Sequence, residues 1–188
     1  MIVCHKYKFL FIEIPKTAST SVGSCLNQLI GRDNLINVSE TKENQSDLYK
    51  KCYRHCTIED AYVDFPETRS YFRFTFVRNP WDLYVSHYLF KKQTLKEDLP
   101  PFNDWIKNVR INQIYWIKNP RFFSFIGKFE NLQEDFDIIC KKLKLKGMNL
   151  ITSNSTQRME YQYYYNNSSI EYVNRLCYNE IRLFDYSF

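Results

Sequence analysis

The chain has 188 residues, 44% of them hydrophobic and 18% aromatic, with four glycines and six prolines. That length suits one domain with one good core, and the composition excludes a low-complexity or fibrous chain. A formal net charge of +5 favours an anionic ligand, but it is too small and too dispersed to point to nucleic acid.

In chain order, Phe9 to Ile14 is a short apolar run interrupted by Glu13 and reads as a buried strand. A carboxylate inside such a strand is costly unless it is paired or functional. Val22, Cys25, Leu26, Leu29 and Ile30 then recur at helical spacing, and Gly31 stands where a C-terminal cap belongs. The polar stretch from Asp33 to Asp47 reads as a surface loop. A second strand is expected over Tyr71 to Val77, with Phe72, Phe74 and Phe76 alternating against Arg73, Thr75 and Val77. Asn79 is a natural N-cap and Pro80 a natural first helical residue, for a helix reaching about Lys92.

"LPPFNDWI" restarts a helix after a proline break. A third strand is expected over Arg121 to Phe129, and the following helix carries Leu132, Phe136, Ile139, Cys140 and Leu143 on one face. The basic run "KKLKLKG" (Lys141 to Gly147) reads as a solvated helix end, where cations are favourable. The last helix is expected to start at "NSSIEY", where Ser168 and Glu171 have capping-box spacing, and to run through Val173, Cys177 and Ile181 towards Phe184. Strands alternate with helices, which argues for an α/β fold with a parallel sheet and helices on its faces. Without internal repeat or linker, the expectation is one domain over residues 1–188.

No segment approaches the roughly 18 apolar residues of a membrane span. The N-terminus enters "YKFLFIEI" without a signal-type cleavage site. The expectation is a soluble, cytoplasmic chain, although a Golgi-type chain trimmed of its anchor reads the same way. Among the six cysteines, Cys25, Cys140 and Cys177 fall on apolar helix faces and read as small buried hydrophobes. Cys52 and Cys56 form C-x3-C beside His55, but no second ligand pair with finger-like spacing follows, so no metal site is expected.

Two segments carry chemistry. "IPKTASTS" joins a strand to a helix. A helix start offers backbone N–H groups and the positive end of the dipole to an anion. Lys16 adds a charge, and Thr17, Ser19, Thr20 and Ser21 add hydroxyls. The segment lacks G-x-x-x-x-G-K-[ST], which disfavours an ordinary P-loop NTPase, and a plain Ser/Thr-rich cap is equally compatible with it. "FTFVRNPWDLYVSHY" places Arg78 at the carboxyl edge of the sheet, where ligands of open α/β folds gather. Ser86 lies two helical turns on. Alone, this segment is equally a salt-bridged arginine and a surface serine.

Together, "IPKTASTS" and "FVRNPWDLYVSHY" resemble the two cofactor-binding motifs of sulfotransferases, closest to the carbohydrate (glycosaminoglycan-type) family with its IPKTAGTS and RNPWDRLVSAY. "KFENLQEDFDIICKKL" and the ending "YYYNNSSIEYVNRLCYNEIRLFDYSF" also resemble segments of that family, so the likeness runs from Phe9 to Phe188. It implies a three-layer fold with a central parallel sheet flanked by helices, related to the P-loop nucleotide kinases. It implies 3′-phosphoadenosine 5′-phosphosulfate as donor, with adenosine 3′,5′-bisphosphate as product; sulfuryl carries less charge than phosphoryl, so no metal clamp is expected. By the same resemblance Lys16, Thr17, Ala18, Ser19, Thr20 and Ser21 cradle the 5′-phosphosulfate, and Arg78 and Ser86 bind the 3′-phosphate. Ser19 replaces the usual glycine, with a strain cost if that position needs a positive φ. Leu83 replaces a common arginine, which bears on any salt bridge around Asp82.

Transfer to a hydroxyl needs a base, and histidine suits neutral pH. Of the three histidines, His5 reads as a surface residue and His87 as structural or solvent-facing. His55, in "YRHCTIEDA", resembles the catalytic base of some family members, with Glu13 and Glu59 in reserve. "TSNSTQRMEYQYYY" holds Ser155 and Arg158 where the family often has a loop over the donor. Arg158 is a candidate phosphate contact. Tyr161, Tyr163, Tyr164 and Tyr165 offer stacking, although core packing accounts for each more simply.

The resulting expectation is in-line sulfuryl transfer to a hydroxyl acceptor, a carbohydrate by resemblance, with His55 as base and Lys16 offsetting charge on the leaving oxygen. The alternatives are an ATP-dependent kinase-like phosphoryl transferase and a non-catalytic nucleotide- or glycan-binding module. The loops "DNLINVSETKENQSD" and "KKQTLKEDLPPFNDW" are where acceptor selectivity is expected, and neither carries a legible code.

Overall fold

The computed structural model describes residues 1–38, 54–150 and 158–188. These residues gather into two compact units, one formed by 1–77 with 114–153 and the other by 78–113 with 154–188.

The first unit is built on a five-stranded sheet of order β3-β1-β2-β4-β5. The strands are β1 (Ile2–Cys4), β2 (Phe9–Ile12), β3 (Ile36–Asn37), β4 (Phe72–Val77) and β5 (Phe125–Lys128). β2, β4 and β5 pair in parallel, with Phe11 opposite Phe74 and Phe76 opposite Gly127. β1 and β3 add an antiparallel edge, with Val3 opposite both Leu10 and Ile36. The sheet is therefore mixed. The three expected strands form its parallel part, and β1 and β3 extend it with an antiparallel edge that the sequence reading did not include. β1 is only three residues long and β3 two, too short for an alternating pattern to stand out.

Helices α1 (Ser19–Ile30), α2 (Ile58–Asp64), α5 (Ile114–Ile117) and α6 (Leu132–Leu143) belong to this unit. Val22, Cys25, Leu26 and Ile30 of α1 and Phe136, Ile139, Cys140 and Leu143 of α6 share one buried cluster with Phe9, Phe11, Phe74 and Phe76. The Phe11 and Phe74 rings stack with centroids 4.9 Å apart. A Cβ at Gly127 would come within 2.5 Å of the Phe76 ring, so β5 reaches β4 this closely only with a glycine there. Leu10, Ile12, Thr75 and Val77, on the opposite face, are also fully buried. Both faces of the central strands are thus covered, as parallel sheets require.

α1 ends at Gly31, whose φ of 84° an L side chain rarely adopts. α2 was not among the expected helices. Thr57 caps it in a box with Asp60, a T-x-x-D signal present in the sequence.

The second unit holds α3 (Pro80–Leu89), α4 (Phe102–Trp105), α7 (Asn167–Leu176) and α8 (Tyr178–Phe184). Asn79 caps α3 as expected, accepting from the amides of Trp81 and Asp82. α3 passes into a π-helical turn over Phe90–Thr94. α7 is capped by Asn166 with Ser169, two residues before the expected Ser168–Glu171 pair. Asn166 Oδ1 accepts from the Ser169 amide at 2.9 Å, and Ser169 Oγ accepts from the Asn166 amide at 3.0 Å. The expected continuous last helix breaks at Cys177, which leaves helical geometry with φ −103° and ψ 19°. The core of this unit is aromatic, with Trp81, Tyr84, Tyr88, Phe102 and Trp105 packed against Val173 and Cys177.

Candidate active site

β2 and β4 are parallel neighbours, so the chain leaves the sheet after each at the same edge. After β2 come Lys16 to Ser21. After β4 comes Arg78, the first residue of the second unit.

In the first unit, the turn before α1 takes left-handed backbone at Lys16 (φ 67°) and Ala18 (φ 63°). Ser19 is already the first residue of α1 and is buried. The strain anticipated at Ser19 therefore falls on its neighbours, because the tight reversal is complete before the helix begins. Ala18 in the left-handed region costs about 1 kcal/mol or more. Ala18→Gly is expected to raise stability by about 0.5–1 kcal/mol, after allowing for the freer unfolded chain. An unchanged or lower urea midpoint for Ala18→Gly would show that this turn stores no strain.

Thr17 Oγ1 donates to the Ile14 carbonyl at 3.0 Å, and Thr17 is buried. Its hydroxyl proton pins the turn. Thr20 is exposed and accepts from Arg54 Nη2 at 3.1 Å. Arg54 was not among the sequence candidates. Isolated in a loop, an arginine carries no signal of where it will point.

His55 is half-buried in the same unit. Its Nδ1 lies 2.8 Å from the Glu13 carbonyl oxygen. A carbonyl only accepts, so Nδ1 carries the proton, and the neutral ring keeps its lone pair at Nε2. Burial lowers the His55 pKa below its ordinary value, against the raising influence of Glu13, while the Arg54 guanidinium lowers it further. The ring is thus neutral at pH 7. Trp116 Nε1 donates to the His55 carbonyl at 2.8 Å and fixes its backbone. Glu13 is buried with its carboxylate 2.7 Å from the Met1 amino group, and Glu59 is exposed on α2. His5 is exposed, 2.8 Å from the Tyr71 hydroxyl.

In the second unit, Arg78 is buried. Its Nε donates to Asp82 Oδ2 at 2.9 Å, and its Nη2 lies 2.8 Å from the same oxygen. Its Nη1 donates to Ser86 Oγ at 3.2 Å. The eight-residue gap is closed by the Arg78 side chain lying along α3. Arg158 Nη2 donates to Asp82 Oδ1. Arg158 Nη1 is buried and has no hydrogen-bond partner among the described residues. Two guanidiniums on one carboxylate leave a net positive charge. Asp82 therefore finds its partners without an arginine at 83, and Leu83 is buried instead.

Tyr161, Tyr164 and Tyr165 pack against the aromatic core, whereas Tyr163 is 73% exposed. The Tyr165 hydroxyl donates to the Trp81 carbonyl at 2.8 Å. His87 lies against the Trp105 ring, with centroids 6.0 Å apart. Cys25, Cys140 and Cys177 are buried as expected, and burial raises each thiol pKa, to about 11 at Cys140. Ser155 and Cys52 lie outside the described residues. Among the described residues, no cluster of three metal-ligating side chains occurs, and no helix is long and apolar enough to cross a membrane.

An uncharacterized protein of Archaeoglobus fulgidus is 36% identical over an alignment 86 residues long that covers 40% of this chain and 69% of that protein. A crystal structure of mouse sulfotransferase SULT7A1 complexed with PAP aligns with a TM-score of 0.49 and 14% identity. The alignment covers 92% of this chain and 64% of the mouse protein, so this chain spans less than two thirds of that protein's length. The model of the sulfotransferase family matches residues 1–187, across both compact units, and the chain belongs to that family.

Proposed function

We propose that the chain is a sulfotransferase that moves a sulfuryl group from 3′-phosphoadenosine 5′-phosphosulfate to a hydroxyl of a carbohydrate acceptor, with residues 1–188 acting as one functional domain. The observation that carries the donor assignment is the arginine pair on Asp82. Arg158 Nη1 is buried without a hydrogen-bond partner among the described residues, and Arg78 reaches Ser86 on the same helix. A buried N–H lacking an acceptor is rare and calls for an explanation, which an anion supplies. Arg78, Ser86 and Arg158 then hold the 3′-phosphate. Lys16, the hydroxyls of Ser19, Thr20 and Ser21, and the start of α1 hold the 5′-phosphosulfate. Thr17 and Ala18 shape the turn.

When bound, the donor supplies the sulfuryl group and its leaving nucleotide. His55 accepts the acceptor's hydroxyl proton at Nε2. Lys16 provides positive charge where the leaving oxygen becomes negative. Positioning and electrostatics account for most of the rate, as in phosphoryl transfer. The carbohydrate assignment rests on the likeness of the two motifs to the carbohydrate-type family.

The test is a radiosulfate transfer screen over sugars, lipids, peptides and phenols, with calorimetric titration of adenosine 3′,5′-bisphosphate and ATP. Transfer to a sugar and preference for the bisphosphate support the reading. Magnesium-dependent turnover of ATP would replace it with a kinase, and bisphosphate binding without any transfer would leave a binding module. Arg78→Ala is expected to raise the donor KM by about 10²-fold while lowering kcat far less, through loss of a charge-assisted contact. Equal donor KM in wild type and Arg78→Ala would remove Arg78 from the donor site.

A further inference from the structure

We infer that Gln113 and Glu180 are positioning residues that set the aim of Arg78 and thereby the affinity for a nucleotide 3′-phosphate. This rests on the donor reading above. Arg78 follows directly on β4, where the main chain leaves the sheet and loses its strand neighbours. The Gln113 side chain takes over that pairing. Its Oε1 accepts from the Arg78 amide at 2.8 Å, and its Nε2 donates to the Arg78 carbonyl at 2.8 Å. One side-chain amide thus holds both polar groups of the Arg78 backbone, as an adjacent strand would.

Gln113 is held in turn by Glu180 on α8. The Gln113 main-chain N–H donates to Glu180 Oε1 at 2.8 Å, and Gln113 Nε2 donates to Glu180 Oε2 at 2.8 Å. Both residues are fully buried. This arrangement fixes which way the Gln113 amide faces. Its oxygen must meet the Arg78 N–H, and its nitrogen must meet the Glu180 carboxylate. A carboxylate offers one oxygen to each donor, whereas a glutamine at 180 offers one oxygen for two. With its main chain clamped, the Arg78 guanidinium can lie along α3 towards Asp82 and Ser86 without choosing among backbone geometries. Partly satisfied buried networks lose their definition, so removing Gln113 frees the arginine rather than only weakening the fold.

The experiment is calorimetric binding of adenosine 3′,5′-bisphosphate and of adenosine 5′-phosphate to wild type, Gln113→Met and Glu180→Gln. Gln113→Met keeps the volume and removes the hydrogen bonds. Wild type is expected to prefer the bisphosphate at least about tenfold. Gln113→Met is expected to lose roughly tenfold in bisphosphate affinity and to stay within about twofold for the monophosphate. Glu180→Gln should lose about three- to fivefold on the bisphosphate alone. Parallel losses for both nucleotides, or a wild-type ratio in the variants, would overturn the inference. Equal binding of the two nucleotides by wild type would instead sink the donor reading, and the positioning role with it. If Gln113→Met does not fold, Glu180→Gln, which retains one acceptor, carries the same comparison.

Discussion

His55→Ala is expected to lower kcat by about 10²- to 10⁴-fold while leaving adenosine 3′,5′-bisphosphate binding within about twofold. The argument starts from the Glu13 carbonyl, which fixes the ring proton on Nδ1 and leaves Nε2 to accept. Burial lowers the His55 pKa, so the neutral form persists below pH 6.5. The sign of the pH profile follows. A base is active when unprotonated, so kcat should be flat through pH 7 and fall only on the acid side of about 6.5. His55→Ala should erase that acid limb along with the rate. Turnover near wild type, or an acid limb that survives in the variant, would move the base elsewhere. Glu13 is the less suited alternative, because its carboxylate is buried against the Met1 amino group.

Lys16→Ala is the second large effect, with an expected loss of about 10²- to 10³-fold in kcat and a raised donor KM. Lys16 stands between β2 and α1, where the first-turn amides already favour an anion. Its side chain adds the one full positive charge within the "IPKTASTS" turn. Because Lys16 has a φ of 67°, its backbone strain is separable from its charge. Lys16→Gly should melt no lower than wild type and yet be as inactive as Lys16→Ala. If Lys16→Gly retained activity, the lysine would serve the turn rather than the reaction.

Much of this was legible in the residues. The alternating phenylalanines of β4, the apolar stripes of α1 and α6, and the Asn79–Pro80 helix start each follow from local periodicity or capping chemistry, and each appears in the structure. What the sequence left open involves partners far away along the chain. Asp82 reads as one more helix charge until Arg158, 76 residues on, is seen to share it with Arg78. Arg54 carries no local signal, and it reaches Thr20 only through the fold. Ser19 drew notice because it replaces a glycine, but the left-handed turns fall at Lys16 and Ala18.

By itself, then, the sequence determined the alternation of strands and helices, the two segments proposed to hold an anion and, through its motifs, the family. Periodicity, caps and charged turns act over a few residues, and a few residues suffice to read them. The tertiary structure decided the antiparallel edge, the tautomer of His55, the sharing of Asp82 and the burial of Gln113 with Glu180. Each of these depends on a hydrogen bond or burial between residues remote in sequence, and no local pattern encodes which distant group will be the partner.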